Sequence, residues 1–280
     1  MKSKIYITGA AGFIGFHAAK KFLNKGIKVH GFDSMNNFYD PHLKRNRLNI
    51  LKKYKNFSFT KGLLENQKLL NRSVLKFKPT IIIHLAAQAG VRYSIVNPDD
   101  YLNSNIFGTF NLIKIANKVK VKHLIIGSSS SVYGANKKIP FQEIDKTDHQ
   151  ISFYASTKKS TESLAHSYSS LWKLPITMLR FFTVYGPYGR PDMAYFKFTK
   201  NILKDKKINI YNKGKMYRDY TYIDDVTEGI IKISKKIPKR VKNTLRKNST
   251  AAPFKIFNIG NNKPMYLKKI ISLTEKFQKF

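Results

Sequence analysis

Short apolar strands alternate with helix-length segments through the first half of the chain, and this alternation constrains the fold more than any other feature. Five predicted strands are Lys4–Thr8, Lys28–Phe32, Phe57–Phe59, Thr80–Leu85 and His123–Ser128. A sixth, Ile176–Phe182, follows a predicted helix over about Tyr154–Leu171. Because a helix that joins two strands returns the chain to the same end of the sheet, such strands lie parallel. The sequence therefore predicts an α/β fold with a doubly wound parallel sheet.

A glycine-rich turn joins the first predicted strand to the first helix. It has the spacing Gly-x-x-Gly-x-x-Gly and contains Gly9, Gly12, Phe13, Ile14 and Gly15. Backbone N–H groups at a helix start can bind a pyrophosphate, and glycine lets it approach closely. Asp33, at the end of the second strand, can accept hydrogen bonds from the ribose hydroxyls of NAD and repel the 2′-phosphate of NADP. These features predict a Rossmann-type site for NAD; the alternative interpretation of Asp33 is a turn cap.

A tyrosine and a lysine four residues apart form the predicted chemical centre. Tyr154 and Lys158 share one face of their helix. A free tyrosine titrates near pH 10, and a lysine charge about 4 Å away is worth on the order of 4 kcal/mol, or roughly 3 pK units. We therefore expect the ammonium to lower the pKa of Tyr154. The serine run Ser128–Ser131 follows the fifth strand at the ligand-binding edge, where a hydroxyl can share the substrate proton.

Composition limits the alternatives. The 280 residues are 42% hydrophobic, enough for a full core, and include no cysteine, which excludes disulfides and thiolate metal sites. No metal site is predicted. A chain without cysteine gains nothing from oxidising conditions, so we expect a cytoplasmic protein. No apolar run reaches the roughly 18 residues of a membrane span, so we expect it not to enter membranes. The net charge is +36, but its lysines are scattered in doublets, which favours a solvated surface over a dedicated nucleic-acid site.

The periodicity changes after Gly186, where prolines and glycines mark a loop-rich passage. We predict an NAD-binding domain over residues 1–182, to which segments of about 216–235 and 254–260 return. Residues 183–280 are predicted to form a smaller, interleaved and incomplete substrate lobe. Within it, Ile237–Pro253 is rich in lysine and arginine and is expected to be an exposed loop.

Taken together, these segments resemble the extended short-chain dehydrogenase/reductase superfamily, and within it the UDP-glucuronate 4-epimerases of the NAD-dependent epimerase/dehydratase family. The matching stretches run in order along the chain: Thr8–Gly15, FDSMNNFYDPHLKRNRL from Phe32, HLAAQAGVRYS from His84, SSSSVYG from Ser128, YASTKK from Tyr154, LRFFTVYGPYGRPDM from Leu179, YRDYTYIDD from Tyr217 and FNIGNN from Phe257. The resemblance implies an NAD-dependent isomerase acting on a UDP-sugar through a 4-keto intermediate.

The resemblance also implies residue roles. Tyr154 would be the base, Lys158 would anchor the nicotinamide ribose, and Ser129 would assist at the sugar hydroxyl with Ser131 nearby. Leu85, Ala86 and Ala87 would line the cofactor path. Further substrate contacts would be Thr183, Arg190 for the sugar carboxylate and Arg218 for the UDP pyrophosphate, since guanidinium binds such anions as a fork. Arg92, a further candidate for substrate binding, could face either the substrate or the cofactor. A homodimer through the helices near Asn105 and Tyr154 is expected on the same ground.

The sequence departs from the family pattern at two points, and it leaves three kinds of alternative function open. Leu63 stands where the family usually has an aspartate near the adenine, and the chain ends at Phe280, earlier than is usual, so it is expected to be a fragment or a short form. A 4,6-dehydratase or a UDP-glucuronate decarboxylase would carry an acidic residue at Ser131. An epimerase of neutral UDP-sugars would not need Arg190. A non-catalytic NAD- or RNA-binding protein on the same fold is the alternative of another class.

Overall fold

A seven-stranded, fully parallel sheet forms the centre of the computed structural model, which describes residues 3–210, 214–240 and 251–278, without the side chains of 277 and 278. Its strands are β1 (Lys4–Thr8), β2 (Lys28–Asp33), β3 (Phe57–Lys61), β4 (Ile81–His84), β5 (His123–Ser129), β6 (Ile176–Phe181) and β9 (Phe254–Ile259). Their order is β3-β2-β1-β4-β5-β6-β9. The strand order reverses between β1 and β4, and such a crevice is where ligands bind in open α/β sheets. The predicted fold class is confirmed.

Helices cover both faces of this sheet. They are α1 (Phe13–Asn24), α2 (Pro41–Lys52), α3 (Gln67–Phe77), α4 (Tyr93–Val96), α5 (Pro98–Tyr101), α6 (Gly108–Lys118), α7 (Phe153–Trp172), α8 (Ala194–Ile202), α9 (Ile223–Ser234) and α10 (Leu267–Gln278). A π-helical turn at Leu102–Phe107 leads into α6, and a 3₁₀ turn at Ser130–Tyr133 follows β5. The long helix predicted over Tyr154–Leu171 is therefore present with one more residue at each end.

Two hydrophobic layers hold the helices on the sheet. Side chains of β1 alternate between them: Ile5 and Ile7 join the layer under α1, α2 and α9, whereas Tyr6 joins the layer under α3, α6 and α7. Every residue of β5 is buried. Strands covered on both faces are mostly apolar, which is why the sequence shows β-branched residues in these segments, as at Ile125 and Ile126 of β5.

A smaller sheet lies after β6. It contains β7 (Thr183–Tyr185), β8 (Tyr217–Tyr222) and β10 (Pro264–Tyr266) in the order β10-β8-β7. Phe198, Leu267 and Ile271 form a third apolar cluster between α8 and α10. β9 pairs with β6 and α9 packs against α1; the division of the chain into two lobes stays a prediction. Residues 241–250 of the predicted basic loop lie outside the described residues.

Across the described ranges, every helix is either too short or too polar to cross a membrane.

Candidate active site

The carboxyl ends of β1, β4 and β5 bring three loops together. The glycine turn follows β1, the segment from Leu85 follows β4, and the serine run lies at the end of β5. These three strands are neighbours in the sheet. Because parallel strands place their carboxyl ends at one edge, residues up to about 120 positions apart meet at a single crevice.

The glycine turn is shaped by close backbone contacts. Gly9 has φ +71°, and an added Cβ would lie 2.7 Å from the backbone nitrogen of Ala86. At Gly15 an added Cβ would lie 2.0 Å from the carbonyl oxygen of Gly9. Gly12 is the N-cap of α1 and has no side chain to cap it. The N–H groups of the first turn, which include those of Phe13 and Ile14, therefore face the turn without an intrahelical acceptor.

Asp33 ties this turn to the end of β2. One carboxylate oxygen accepts a hydrogen bond from the backbone N–H of Ala11 at 3.0 Å, and the other accepts from the N–H of Met35 at 2.8 Å. Asp33 is buried. The carboxylate thus holds two turns, as the capping interpretation expects, and each oxygen keeps a second lone pair for another donor. Its contact with a ribose stays a prediction.

Lys158 points to the end of β5. Its Nζ donates a hydrogen bond to the carbonyl oxygen of Gly127 at 2.8 Å. Burial lowers the pKa of Lys158 to about 8, while the nearby Glu162 carboxylate acts in the opposite direction. The ammonium has three N–H donors, so the bond to Gly127 leaves two for a ligand in the crevice.

Tyr154 lies in the first turn of α7, whose N-cap Ser152 accepts a hydrogen bond from the N–H of Ala155 at 3.1 Å. Burial raises the pKa of Tyr154 above its usual value, and a hydrogen bond with Ser129 and the charge of Arg190 partly offset this. We expected Lys158 to lower this pKa. That expectation is wrong for the protein alone, because desolvation of the phenol outweighs the groups that lower its pKa.

The serine run is fixed by a buried ion pair that the sequence analysis missed. The side chains of Ser129 and Ser131 lie 3.1 Å apart, and Ser128 donates to Glu162 at 2.6 Å. The same carboxylate accepts from Arg180 Nε at 3.0 Å and Nη2 at 2.9 Å, and both charged side chains are almost fully buried. Glu162 lies four residues after Lys158 on α7, and this spacing was the available signal.

Arg190 lies near the phenol but already has a carboxylate partner. Its Nε and Nη2 donate to the two oxygens of Asp192 at 3.0 and 2.5 Å. Burial raises the pKa of both Tyr154 and Tyr101, and the Arg190 charge offsets part of each rise. The structure therefore brings Tyr154, Ser129, Ser131 and Arg190 together, with the guanidinium fork of Arg190 held by its neighbour.

The other predicted site residues lie around this centre. Leu85, Ala86 and Ala87 follow β4 and are partly exposed at the crevice. Thr183 begins β7 and is paired with Tyr220 of β8, while Arg218 is exposed on β8 opposite Met265. Arg92 is exposed at the start of α4, and Leu63 is 52% exposed beyond β3. The described contacts do not join Arg218 to Tyr154, so its role depends on where a ligand would extend.

Comparison with known proteins identifies relatives along nearly the whole chain. The model of the NAD dependent epimerase/dehydratase family matches residues 5–260. "Protein CapI" of Staphylococcus aureus is 49% identical over 276 residues, which are 97% of this chain and 82% of that protein. A probable UDP-glucuronate 4-epimerase of Rhizobium meliloti is 46% identical over 278 residues, 96% of this chain and 81% of the relative.

Among solved structures, UDP-glucuronic acid 4-epimerase from Bacillus cereus, crystallised with UDP-glucuronic acid and NAD, superposes with a TM-score of 0.87. It is 33% identical, and the match covers 99% of this chain and 83% of that one.

Proposed function

The chain belongs to the NAD-dependent epimerase/dehydratase family, and on that basis we propose that it interconverts UDP-glucuronate and UDP-galacturonate by NAD-dependent 4-epimerisation. The observation that carries the proposal is the meeting of Tyr154, Ser129 and Arg190 at the carboxyl edge of β5. A phenol and a hydroxyl can exchange a sugar proton, and a guanidinium can attract a uronate. Relatives whose names give this activity support the choice of substrate.

The glycine turn fits NAD. A Cβ at Gly9 or Gly15 would fill the space against the backbone, and no acidic residue lies in the first turn of α1 to repel a pyrophosphate. Asp33 at the end of β2 supports NAD over NADP. When bound, NAD would supply the hydride chemistry by accepting a hydride and returning it, and its oxidised form would carry a positive charge on the ring.

Side chains of the protein carry out the proton transfer and hold the ligands. Tyr154 takes the proton of the sugar C4 hydroxyl and returns it to the keto oxygen, while Ser129 holds the same oxygen by a hydrogen bond. Burial disfavours the phenolate, so the Arg190 charge and the Ser129 hydrogen bond are needed to stabilise it. Lys158 is held by the Gly127 carbonyl, and its other N–H groups would bind the ribose of the cofactor.

Firm binding of UDP and loose binding of the sugar suit an epimerase, because the keto sugar must turn over between two hydride transfers. Arg218 and Arg92 are proposed for the nucleotide side, and Arg190 with Thr183 for the sugar. The Arg190 fork is held by Asp192 at 2.5 Å, so a uronate binds there by replacing that carboxylate. Ser131, whose hydroxyl lies 3.1 Å from Ser129, supplies no acid for elimination or decarboxylation, which favours epimerisation over both rivals.

Incubation of the purified protein with UDP-glucuronate and NAD, followed by separation of the sugar nucleotides, tests the proposal. We expect UDP-galacturonate from the wild type and none from Tyr154→Phe, with unchanged NAD affinity in the variant. A pentose product, or turnover that Tyr154→Phe leaves intact, would contradict it. RNA binding without sugar turnover would favour the non-catalytic alternative.

A homodimer and a cytoplasmic location complete the proposal. An apolar groove runs along α7 and the π-helical turn and is lined by Leu102, Ile106, Phe153 and Leu164. Behind this surface, Asn105 is buried and its amide donates to Thr157 and to the carbonyl oxygen of Gln88. A rigid apolar face of this kind is suited to pairing with a second copy, and sedimentation of the purified protein measures it.

A further inference from the structure

Arg47 on α2 is a buried cation that the proposed reaction does not use. It is fully buried, and among the described residues no carboxylate lies within ion-pair distance of its guanidinium. Burying an unpaired charge is strongly unfavourable unless hydrogen bonds replace its water. The oxygen atoms that accept hydrogen bonds from Arg47 in place of water therefore indicate what this side chain does.

Four oxygens from three distant segments surround the guanidinium. Nη1 donates to the carbonyl oxygen of Ala11 at 2.9 Å and to the hydroxyl of Tyr39 at 2.6 Å. Nη2 donates to the carbonyl oxygens of Tyr188 at 2.6 Å and Gly189 at 3.3 Å. One side chain thus connects the glycine turn with the loop after β7, and Arg47 is itself 141 residues away from Tyr188 in the sequence.

Each of the two loops that Arg47 connects is in contact with, or directly precedes, a residue of the candidate site. Ala11 is also held through its N–H by Asp33, so Asp33 and Arg47 bind the N–H and the carbonyl oxygen of the same residue, on the two successive peptide units that flank its Cα in the glycine turn. On the other side, Gly189 directly precedes Arg190, whose charge acts on Tyr154.

The loop after β7 needs such a support. Tyr188 has φ +57°, a left-handed conformation that is unfavourable for a residue other than glycine. His17 of α1 donates to the Pro187 carbonyl at 2.9 Å, and the Phe16 ring lies 5.3 Å from that of Tyr188. Strained loops keep one conformation only where several contacts define it, and two of these contacts come from Arg47.

We propose that Arg47 is a positioning residue that couples the glycine turn to the Arg190 loop, so that the binding of NAD and the binding of the UDP-sugar strengthen each other. The inference rests on the proposed function, because it concerns the same two ligands. The link requires arginine, because a guanidinium reaches both loops at once, whereas the compact ammonium of a lysine cannot span the same acceptors.

The test is the affinity for NAD, measured by calorimetry with and without UDP-glucuronate in the Tyr154→Phe background, where no turnover occurs. With Arg47 intact, we expect UDP-glucuronate to tighten NAD binding on the order of fivefold or more, the usual range for coupled sites. With Arg47→Lys, we expect this factor to fall to about one. Arg45→Lys, an exposed arginine on the same helix, is the matched control and should leave the factor unchanged.

Tyr39→Phe provides a second variant if Arg47→Lys does not fold. It removes one of four acceptors and leaves the arginine and its three carbonyl partners in place, so we expect the variant to fold and the coupling to weaken. An unchanged coupling factor in folded Arg47→Lys, or in Tyr39→Phe where Arg47→Lys does not fold, would overturn the inference even if the wild type epimerises. Failure of the wild type to bind NAD or turn over UDP-glucuronate would instead overturn the proposed function and this inference with it.

Discussion

Glu162→Gln should destabilise the protein strongly and change its chemistry at the same time. The carboxylate accepts two hydrogen bonds from Arg180 and one from Ser128, and both members of the ion pair are almost fully buried. Glutamine keeps one acceptor oxygen but places an NH₂ group against the N–H donors of the guanidinium. Arg180 then remains charged and buried without its counter-charge.

The expected magnitude follows from that burial. Removing one partner of a buried ion pair costs roughly 3–5 kcal/mol, whereas an exposed pair would cost less than about 1 kcal/mol. For a chain of 280 residues, a loss of that order lowers the melting temperature by roughly 5–9 °C. The pKa of Lys158 should also fall further below about 8, because Glu162 is the group that raises it. Lys158 then loses its proton at lower pH, and the basic limb of the activity profile moves to lower pH.

Urea unfolding and the pH dependence of kcat measure the two effects. Glu65→Gln, which alters an exposed carboxylate, serves as the control and should change neither. Replacing both partners, Glu162→Leu with Arg180→Leu, should recover part of the stability but not the pH profile. If Glu162→Gln unfolds within about 1 kcal/mol of the wild type, the reasoning from buried charge is wrong.

Three further predictions concern the same edge of the sheet. Asp192→Asn removes the carboxylate charge that holds the guanidinium of Arg190. We therefore expect a lower KM for UDP-glucuronate with kcat little changed. Lys158→Met removes a lysine whose pKa is lowered to about 8, so it should add stability at pH 7, and this gain should shrink as the pH rises from about 8 to 10.5, where the unfolded chain also loses the proton. Gly9→Ala places a carbon 2.7 Å from a backbone nitrogen and should abolish NAD binding. Gly26→Ala, at the same φ of +71° but in open space, should only lower the free energy of unfolding by about 1–2 kcal/mol.

Each of these has a contradicting outcome. An unchanged or higher KM for Asp192→Asn would mean that the aspartate does not compete with the substrate carboxylate. Unfolding measurements in which the effect of Lys158→Met is the same at pH 7 and pH 10.5 would exclude the assigned pKa shift. If the two glycine variants lost the same amount of stability and of NAD affinity, the backbone strain and not the close contact would be what makes alanine unfavourable at Gly9.

Much of the candidate site was visible in local patterns. The glycine turn, the helix that carries Tyr154 and Lys158, and the serine run each combine a periodicity with a turn residue at a fixed offset, and all lie where strands meet helices. Such features depend on neighbours a few residues away, so a sequence can reveal them. The strand ends differ from the predicted bounds by one or two residues only, as at Asp33 and Lys61.

The sequence by itself determined the parallel sheet and the order of its ligand-binding loops, because hydrophobic periodicity and glycine turns are local properties of the chain. Only the tertiary structure decided the chemical state of the site. The pKa of Tyr154 rises because packing removes water from the phenol, and the environment of Arg47 is made by carbonyl oxygens far away along the chain. Burial and hydrogen bonding between distant segments exist only once the chain has folded, so no residue pattern carries them.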